Sequence, residues 1–252
     1  MKLVYDTHIL LSRNLKKRFG EKIWFFLGML QPALYLLLYM PLLKNVGNTS
    51  ALPLERITQI FVPGMLIIMG ISSLFVGFSF IPEIREGFIT RLLVTPISRA
   101  AILLSFIITQ VVVLFLQVII LLFIAFLLGL RSSFEAAFLS LILVALIGIT
   151  MSSLSYTISI ITRSEDALAS IVNTLYLPIM LLSGIMLPIS LAPDWLKSAA
   201  RFNPFYYAVE ASRALFLENY SAPVIAEGFG IMLLFAVISV WLVVKALRNM
   251  TS

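Results

Sequence analysis

Six long stretches without a charged residue constrain this chain more than any other feature of its sequence. A helix that crosses the hydrocarbon core of a membrane needs about 20 mostly apolar residues. Stretches of that order occupy residues 23–43, 57–82, 100–130, 136–162, 167–193 and 228–244. They are too long, and alternate too little, to be barrel strands. The sequence therefore predicts an all-α membrane protein with six transmembrane helices in a single domain, residues 1–252.

The basic residues predict which ends of these helices face the cytoplasm. Six spans place both termini on one side, and 12 of the 18 Lys and Arg residues lie in the segments of that side. The acidic residues divide equally, so the net charge of +6 belongs to the same side. Because basic loops stay inside, we expect a multi-pass protein of the plasma (inner) cell membrane with cytoplasmic termini. The basic excess thus indicates orientation, not nucleic-acid binding.

Residues 1–22 precede the first span and carry an apolar stripe. Val4, Leu11, Leu15 and Phe19 share one helical face, away from most of the cations. This pattern favours an amphipathic helix in the inner membrane interface, and a basic flank of the first span is the alternative. The apolar run that follows is longer than a signal-peptide core and lacks a small-residue cleavage site, so we expect the segment to be retained.

The region 185–227, before the last span, contains apolar pieces that are too short to cross a membrane, and prolines interrupt them. Non-helical backbone at membrane depth needs protein or water as a hydrogen-bond partner. The pattern predicts a re-entrant helix pair, and an extracellular cap lying flat on the membrane is the alternative. We expect turns at Gly184 and Pro204, a hydrogen bond from Asn203 to backbone groups near the turn, and an ion pair between Glu210 and Arg213. The assigned residues are Gly184, Pro188, Asn203, Pro204, Tyr207, Glu210 and Arg213.

Motifs of enzymes and of secondary transporters are absent from the sequence. It has no G-x-x-x-x-G-K-S/T phosphate loop, no cysteine and a single histidine, His8, in the N-terminal segment. We therefore expect no catalytic site, metal or cofactor in this chain. The charge-free stretches contain no carboxylate, which disfavours ion-coupled secondary transport. That transport class is kept as the alternative.

Polar side chains inside the spans are candidates for a substrate pathway. Gln110 and Gln117 are seven residues apart and share one helix face. Interhelical hydrogen bonds, typically worth about 1 kcal/mol or less, are the interpretation that we favour over direct substrate contact. The candidate set for the pathway comprises Gln110, Gln117, Asn173, Thr174 and Tyr176.

A compact charged segment, residues 83–99, separates the second span from the third. Ile84, Phe88, Ile89 and Leu92 recur at helical spacing, and Pro96 can end this helix or begin the next. The pattern predicts a short helix across the cytoplasmic ends of two spans, exposing charge and an aromatic ring to a docking partner. A solvated loop whose charges only enforce topology is the alternative.

Two segments of the chain resemble the membrane subunits of ABC-2 type exporters. EIREGFITRLLVTPISR in 83–99 is similar to the family's acidic-Arg-x-x-Gly stretch followed by L-L-x-T-P and a basic residue. LLSGIMLP and FNPFYYAVEASR, within 181–216, are similar to its S-G-x-x-x-P and N-P-x-x-Y-x-x-E-x-x-R patterns. The resemblance implies a coupling helix that docks on a separate pair of cytosolic ABC ATPases, which would bind ATP and Mg. The residues that it assigns to this contact are Glu83, Arg85, Glu86, Gly87, Phe88, Arg91, Thr95 and Pro96.

The resemblance also implies that two permease copies, identical or related, form an export pathway at their interface. The chain looks closest to the daunorubicin-resistance-like branch of the family. We therefore expect an amphiphilic drug-like or lipid substrate, and a role in antibiotic or multidrug resistance. Export of a lipid-linked polysaccharide or teichoic-acid-type polymer is the alternative.

Overall fold

The computed structural model describes residues 2–50, 54–185 and 189–249, without the side chains of 2, 22, 24, 39–50 and 54–57. Within these ranges the fold is all-helical, with 87% helix and no strand. Short 3-10 turns lie at Ser73–Val76 and Ile189–Leu191. The described α-helices are α1 (Lys2–Gly20), α2 (Lys22–Ser50), α3 (Leu54–Ser72), α4 (Gly77–Arg85), α5 (Phe88–Leu93), α6 (Arg99–Leu127), α7 (Phe134–Thr162), α8 (Glu165–Leu182), α9 (Asp194–Ala200), α10 (Pro204–Phe216) and α11 (Pro223–Asn249).

Five helical segments of the described chain are long and apolar enough to cross a membrane. They coincide with five of the six spans that the sequence predicts: Thr58–Arg85, Arg99–Leu127, Phe134–Thr162, Glu165–Leu182 and Pro223–Asn249. The first predicted span corresponds to α2, which has 29 residues, although its described apolar stretch, Phe25–Leu38, is shorter. The multi-pass architecture is confirmed, and the count of six stays a prediction.

The second span is a broken helix, and a serine of α7 satisfies the break. Between α3 and α4 the chain tightens into the 3-10 turn, which frees backbone groups from the regular helical ladder. Ser155 donates its hydroxyl to the carbonyl of Leu74 at 2.5 Å and accepts from the Gly77 N–H at 2.9 Å. A side chain on Gly77 would collide with Ser155 and Ser159, so the small residues of both helices are needed for this contact.

Serine caps fix where three spans begin. Ser98, Ser133 and Ser164 each accept a hydrogen bond from the backbone N–H three residues later, at the start of α6, α7 and α8. Such caps satisfy donors that have no partner inside the helix. Helix α7 ends at Thr162, and Arg163 follows it in a left-handed conformation, one residue before the next cap. The short connection makes α7 and α8 antiparallel neighbours.

Helix α1 lies along α6 through a face that the sequence analysis did not select. Leu10 and Asn14 are buried, and Asn14 donates to the hydroxyl of Ser105 at 3.1 Å. Val4 and Phe19, members of the expected stripe, are 70% and 39% exposed. Leu11 and Leu15, the other two members, are half-buried, so the stripe borders the contact with the bundle and is exposed at its two ends. Its exposure leaves it available to a membrane interface, and the interfacial placement stays a prediction.

Two short helices, α9 and α10, precede the last span. Asn203 caps α10 by accepting from the Phe205 N–H, and its amide donates to the carbonyl of Ile179 at 2.8 Å. This is the backbone contact expected of Asn203, and Pro204 is the first residue of α10 after the expected turn. The helices are present, whereas their depth relative to the membrane stays a prediction.

Arg213 joins α10 to two spans. It is 5% exposed, and its guanidinium donates to the carbonyls of Gly184 at 2.6 Å, Ile185 at 3.3 Å and Ile60 at 3.2 Å. The pair with Glu210 that the spacing predicts is present at 2.8 Å. One buried cation thus satisfies the carbonyls that follow α8 and one carbonyl of α3. Gly184 forms the turn after α8, with φ 73°.

Candidate docking surface

The segment 83–99, named here the docking loop, forms a tight turn followed by a short helix. Helix α4 ends at Arg85, and Gly87 reverses the chain with φ 71°, a conformation that glycine adopts without a steric penalty. Helix α5 then runs for only six residues. The Thr95 hydroxyl donates to the carbonyl of Leu92 at 2.6 Å, and Pro96 follows in the bend before α6.

One face of the docking loop is anchored in the protein. Ile89 is fully buried, and Ile84 is 7% exposed. Phe88 and Leu92 pack against the same apolar cluster, which includes Ile102 of α6. The apolar stripe that the sequence predicts for this helix is therefore its inner face, and the loop is held as a short element rather than as a solvated strand of chain.

Glu83 is buried, which differs from the exposed contact that the sequence analysis expected. Its side chain is only 3% exposed, and it forms ion pairs with Arg13 at 3.0 Å and with Lys17. Both cations belong to α1. A carboxylate in such a site needs opposite charges to offset its desolvation, and α1 supplies them. Glu83 therefore ties α1 to the start of the docking loop and is not part of its outer surface.

Phe88 is also engaged within the chain. The Arg13 guanidinium lies 3.6 Å from the centre of the Phe88 ring, a cation–π arrangement. Arg13 thus contacts both the last turn of α4 and the first residue of α5. Phe88 is half-buried, so the aromatic residue expected as an anchor for a partner already anchors the loop to α1.

The outer face of the docking loop is polar with one large apolar residue. Arg85 is paired with Glu165 of α8 at 3.4 Å. Val94 is 83% exposed, and sequence reasoning missed it because it falls outside the apolar stripe at 84, 88 and 92. The sequence alone does not show which apolar side chains are exposed, so Val94 becomes a candidate docking residue only once the fold is known. The exposed residues of the docking loop are Arg85, Glu86, Thr90, Arg91, Val94, Thr95, Pro96 and Arg99.

The two pathway candidates on α6 lie in interhelical contacts. Gln110 donates to the hydroxyl of Ser73 at 3.2 Å, and Gln117 donates to the carbonyl of Phe25 at 2.9 Å. Both are at most 8% exposed in the chain. These bonds fit the favoured interpretation of the two glutamines. They join α6 to the broken second span and to α2.

The three candidates on α8 have a different environment. Asn173 and Thr174 are exposed, and Tyr176 is half-buried with its ring 5.3 Å from that of Phe75. Only Leu168 and Val172 of α8 are buried. The structure therefore does not bring the candidates on α6 and α8 into one site within a single chain.

The residues assigned to the re-entrant region lie apart from the docking loop. Tyr207 donates to the carbonyl of Arg201 at 3.2 Å. Pro188 lies outside the described residues. Asn203 bonds α8, and Arg213, paired with Glu210, joins α3 to the turn at Gly184. These contacts lie at the ends of α3 and α8 that are remote from α1.

Comparisons with known proteins assign a family to this architecture. Residues 5–217 match the ABC-2 type transporter family. The chain is similar to three proteins each named putative transport permease ycf38. It is 26% identical to that of Cyanophora paradoxa, covering 86% of this chain and 76% of the relative. The protein of Pyropia yezoensis is 26% identical, and the match covers 90% of this chain and 80% of the relative. The protein of Porphyra purpurea is 25% identical, and the match covers 95% of this chain and 84% of the relative.

The chain belongs to the ABC-2 type transporter family, because the match covers most of its length. It is thus a multi-pass permease subunit of an ABC transporter, and membership implies an ABC ATPase as its partner in general. The expected daunorubicin-resistance-like branch is not confirmed by these relatives.

Proposed function

We propose that this permease exports an amphiphilic drug-like or lipid substrate across the plasma membrane, driven by a separate cytosolic ATPase pair. The observation that carries the proposal is the docking loop. It has an anchored inner face and an exposed outer face, at the end of the bundle where the basic residues predict the cytoplasm. Because the sequence contains no phosphate loop, we assign ATP and Mg binding to the partner.

The contacts of the docking loop suggest how it transmits movement. Arg13 touches Glu83 on α4 and Phe88 on α5, so a displacement of α5 is passed to α1 as well as to the second span. Asn14, one residue further, bonds Ser105 on α6. A partner that displaces the outer face of the docking loop would therefore move α1, α4 and α6 together as one rigid body.

Helix α8 supports a pathway between two permease copies. Asn173 is exposed in this predicted span, and a polar group facing hydrocarbon is costly when no other helix covers it. Ser170 and Thr174 extend the same exposed face, and their hydroxyls donate to carbonyls within α8. A second copy of the chain would cover this face and line a polar passage with it. We therefore infer a homodimer with α8 at its pathway, and an amphiphilic substrate whose polar part meets these side chains.

The proposal is tested by isolating the full chain from its native membrane after chemical cross-linking. We expect a phosphate-loop ATPase to copurify, and reconstituted vesicles to show vanadate-sensitive, outward movement of a fluorescent amphiphile. The Arg91→Glu, Val94→Asp double variant should lose both. A matched control, Arg201→Glu with Phe202→Asp, changes exposed residues near the opposite end and should retain both. Undiminished ATPase association in the docking-loop variant contradicts the proposed contact.

A further inference from the structure

A groove separates the C-terminal ends of α7 and α11. Its volume is about 480 Å³, and it is open to the outside of the bundle. Ile160 and Leu242 contribute apolar walls, while Arg163 and Lys245 stand at its edge. None of these residues takes part in the docking loop or in the polar face of α8.

The two cations of the groove have no acidic partner in the described part of the chain. Arg163 and Lys245 are both exposed. Glu165, the nearest carboxylate to Arg163 along the chain, is paired with Arg85. Lys245 instead lies 5.0 Å from the ring centre of Trp241. The groove therefore presents two exposed positive charges that no carboxylate of the described residues pairs.

The order of side chains along both helices matches the layers of a membrane leaflet. Arg163 directly follows the last residue of α7, and Lys245 lies in the last turns of α11. Trp241, one turn before Lys245, is 58% exposed. Basic side chains and tryptophan collect at the membrane interface. The two cations lie at its outer edge, and Trp241, Leu242 and Ile160 lie about one turn deeper. A ligand of matching form has an anionic head and an apolar tail.

The groove lies at the same end of the bundle as the docking loop. Arg85 of that loop donates to the backbone carbonyl of Arg163 at 3.4 Å. If the basic residues orient the chain as proposed, this end faces the inner leaflet, whose anionic lipids attract juxtamembrane cations. Basic pockets between helices at that level bind lipid headgroups in other membrane proteins.

We propose that the groove binds an anionic glycerophospholipid of the inner leaflet. The phosphate lies between Arg163 and Lys245, and one acyl chain lies along Ile160, Ile161 and Leu242. Charge complementarity selects the anionic headgroup, and the apolar walls select a lipid over a soluble phosphate. The site is separate from the proposed export pathway, so it holds whether or not the exported substrate is itself a lipid.

Trp241 supplies a direct readout of this site. In a Trp24→Phe, Trp195→Phe background it is the sole tryptophan, and brominated lipid bound in the groove quenches its fluorescence. The full chain is reconstituted in vesicles that contain either brominated phosphatidylglycerol or brominated phosphatidylcholine at equal mole fraction. We expect about a five-fold preference for phosphatidylglycerol at this site, the order of effect of one basic residue near an anionic surface.

Variants of Arg163 and Lys245 distinguish the loss of positive charge in the groove from a loss of folding. The Arg163→Gln, Lys245→Gln double variant should bring the preference close to one, whereas Arg163→Lys with Lys245→Arg should keep it. Removing two cations near the opposite end, by Lys197→Gln and Arg201→Gln, should leave it unchanged. Thermal unfolding and size-exclusion profiles establish that each variant is folded.

Two results overturn the proposal. Equal quenching by both lipids in the otherwise unaltered chain excludes selection of an anionic headgroup, and this outcome does not depend on the folding of any variant. Displacement of phosphatidylglycerol by millimolar glycerol phosphate, as effective as displacement by unbrominated phosphatidylglycerol, shows a phosphate site without a lipid-binding wall.

Discussion

Glu83 is the residue through which α1 and the docking loop act on each other. Its buried carboxylate is paired with both Arg13 and Lys17. The Glu83→Gln variant removes the negative charge from between two cations and should destabilise the fold by about 2 kcal/mol, a moderate value because both cations are partly solvated. Thermal unfolding in detergent measures the loss. Glu86→Gln, on the exposed side of the same turn, is the matched control, and equal melting temperatures for the two variants would contradict the role of Glu83.

Arg213 makes a comparable connection at the other end of the molecule. Its planar guanidinium reaches carbonyls of Gly184, Ile185 and Ile60 at once. Lysine keeps the charge but cannot reproduce this fork, so Arg213→Lys should leave at least one buried carbonyl without a partner, at about 1–3 kcal/mol. The expected result is a lower melting temperature. Arg201→Lys, an exposed conservative exchange, should show no shift, and an unaltered Arg213→Lys protein would refute the bracing role.

Sequence distance decides which of these contacts could be predicted. Glu210 and Arg213 are three residues apart on one helix, a spacing that brings side chains together, and their pair was predicted. Arg13 and Glu83 are 70 residues apart in the chain. Both belong to the same predicted side of the membrane, but nothing in the charge pattern identifies them as partners. The sequence alone could therefore not show that Glu83 is buried, and it predicted an exposed charge at this position.

The docking loop can be tested as an element by comparing its inner and outer faces. Phe88→Ala removes the ring that contacts Arg13 and should lower both the melting temperature and ATPase association. Glu86→Arg changes only the exposed face and should lower association without a change in melting temperature. Interface residues of this kind often cost about 2 kcal/mol or more of binding when altered, roughly a 30-fold weaker complex. Unchanged association and coupled ATP hydrolysis in the protein that carries both substitutions would show that this segment does not couple the permease to an ATPase.

Helix α8 permits a test of the dimer, since the chain has no native cysteine. Asn173→Cys lies on the exposed face near its middle, and copper phenanthroline should cross-link it into a disulfide dimer in membranes. Leu234→Cys on α11 is similarly exposed, at 57%, and should remain monomeric as a matched control. Equal cross-linking at both positions, or none at Asn173→Cys, would contradict α8 as the dimer face.

The elements were predictable to the extent that hydropathy alone determines them. The extents of α6 and α7 follow from their long apolar runs, and Pro96 lies in the turn between α5 and α6, where the sequence predicts a helix boundary. The break at Ser73–Val76 was not predictable, because its backbone is satisfied by Ser155 on another helix. The contact face of α1 was missed for a similar reason. Asn14 is buried by its bond to Ser105, whereas a periodicity argument selects apolar residues.

In the whole molecule, successive spans run in opposite directions, so the connections between them lie alternately at the two ends of the bundle. The docking loop and the α7–α8 turn lie with α1, as the contacts of Glu83 and Arg85 show. The α10–α11 connection instead meets the α6–α7 connection, where Tyr220 contacts the hydroxyl of Ser133. Hydropathy sufficed to predict this arrangement, since each apolar run reverses the direction of the chain. The basic residues predict the orientation, and a direct measurement tests it.

That measurement is site-specific labelling of single cysteines in the cysteine-free chain. Thr90→Cys lies on the exposed face of α5, and Ser221→Cys lies in the exposed connection before α11. With 12 of 18 basic residues on the docking-loop side, the positive-inside preference places Thr90 in the cytoplasm and Ser221 outside. A membrane-impermeant maleimide should therefore label Ser221→Cys in intact bacterial cells and Thr90→Cys only after permeabilisation. Labelling of Thr90→Cys in intact cells, with Ser221→Cys protected, would invert the topology and remove the docking loop from any cytosolic ATPase.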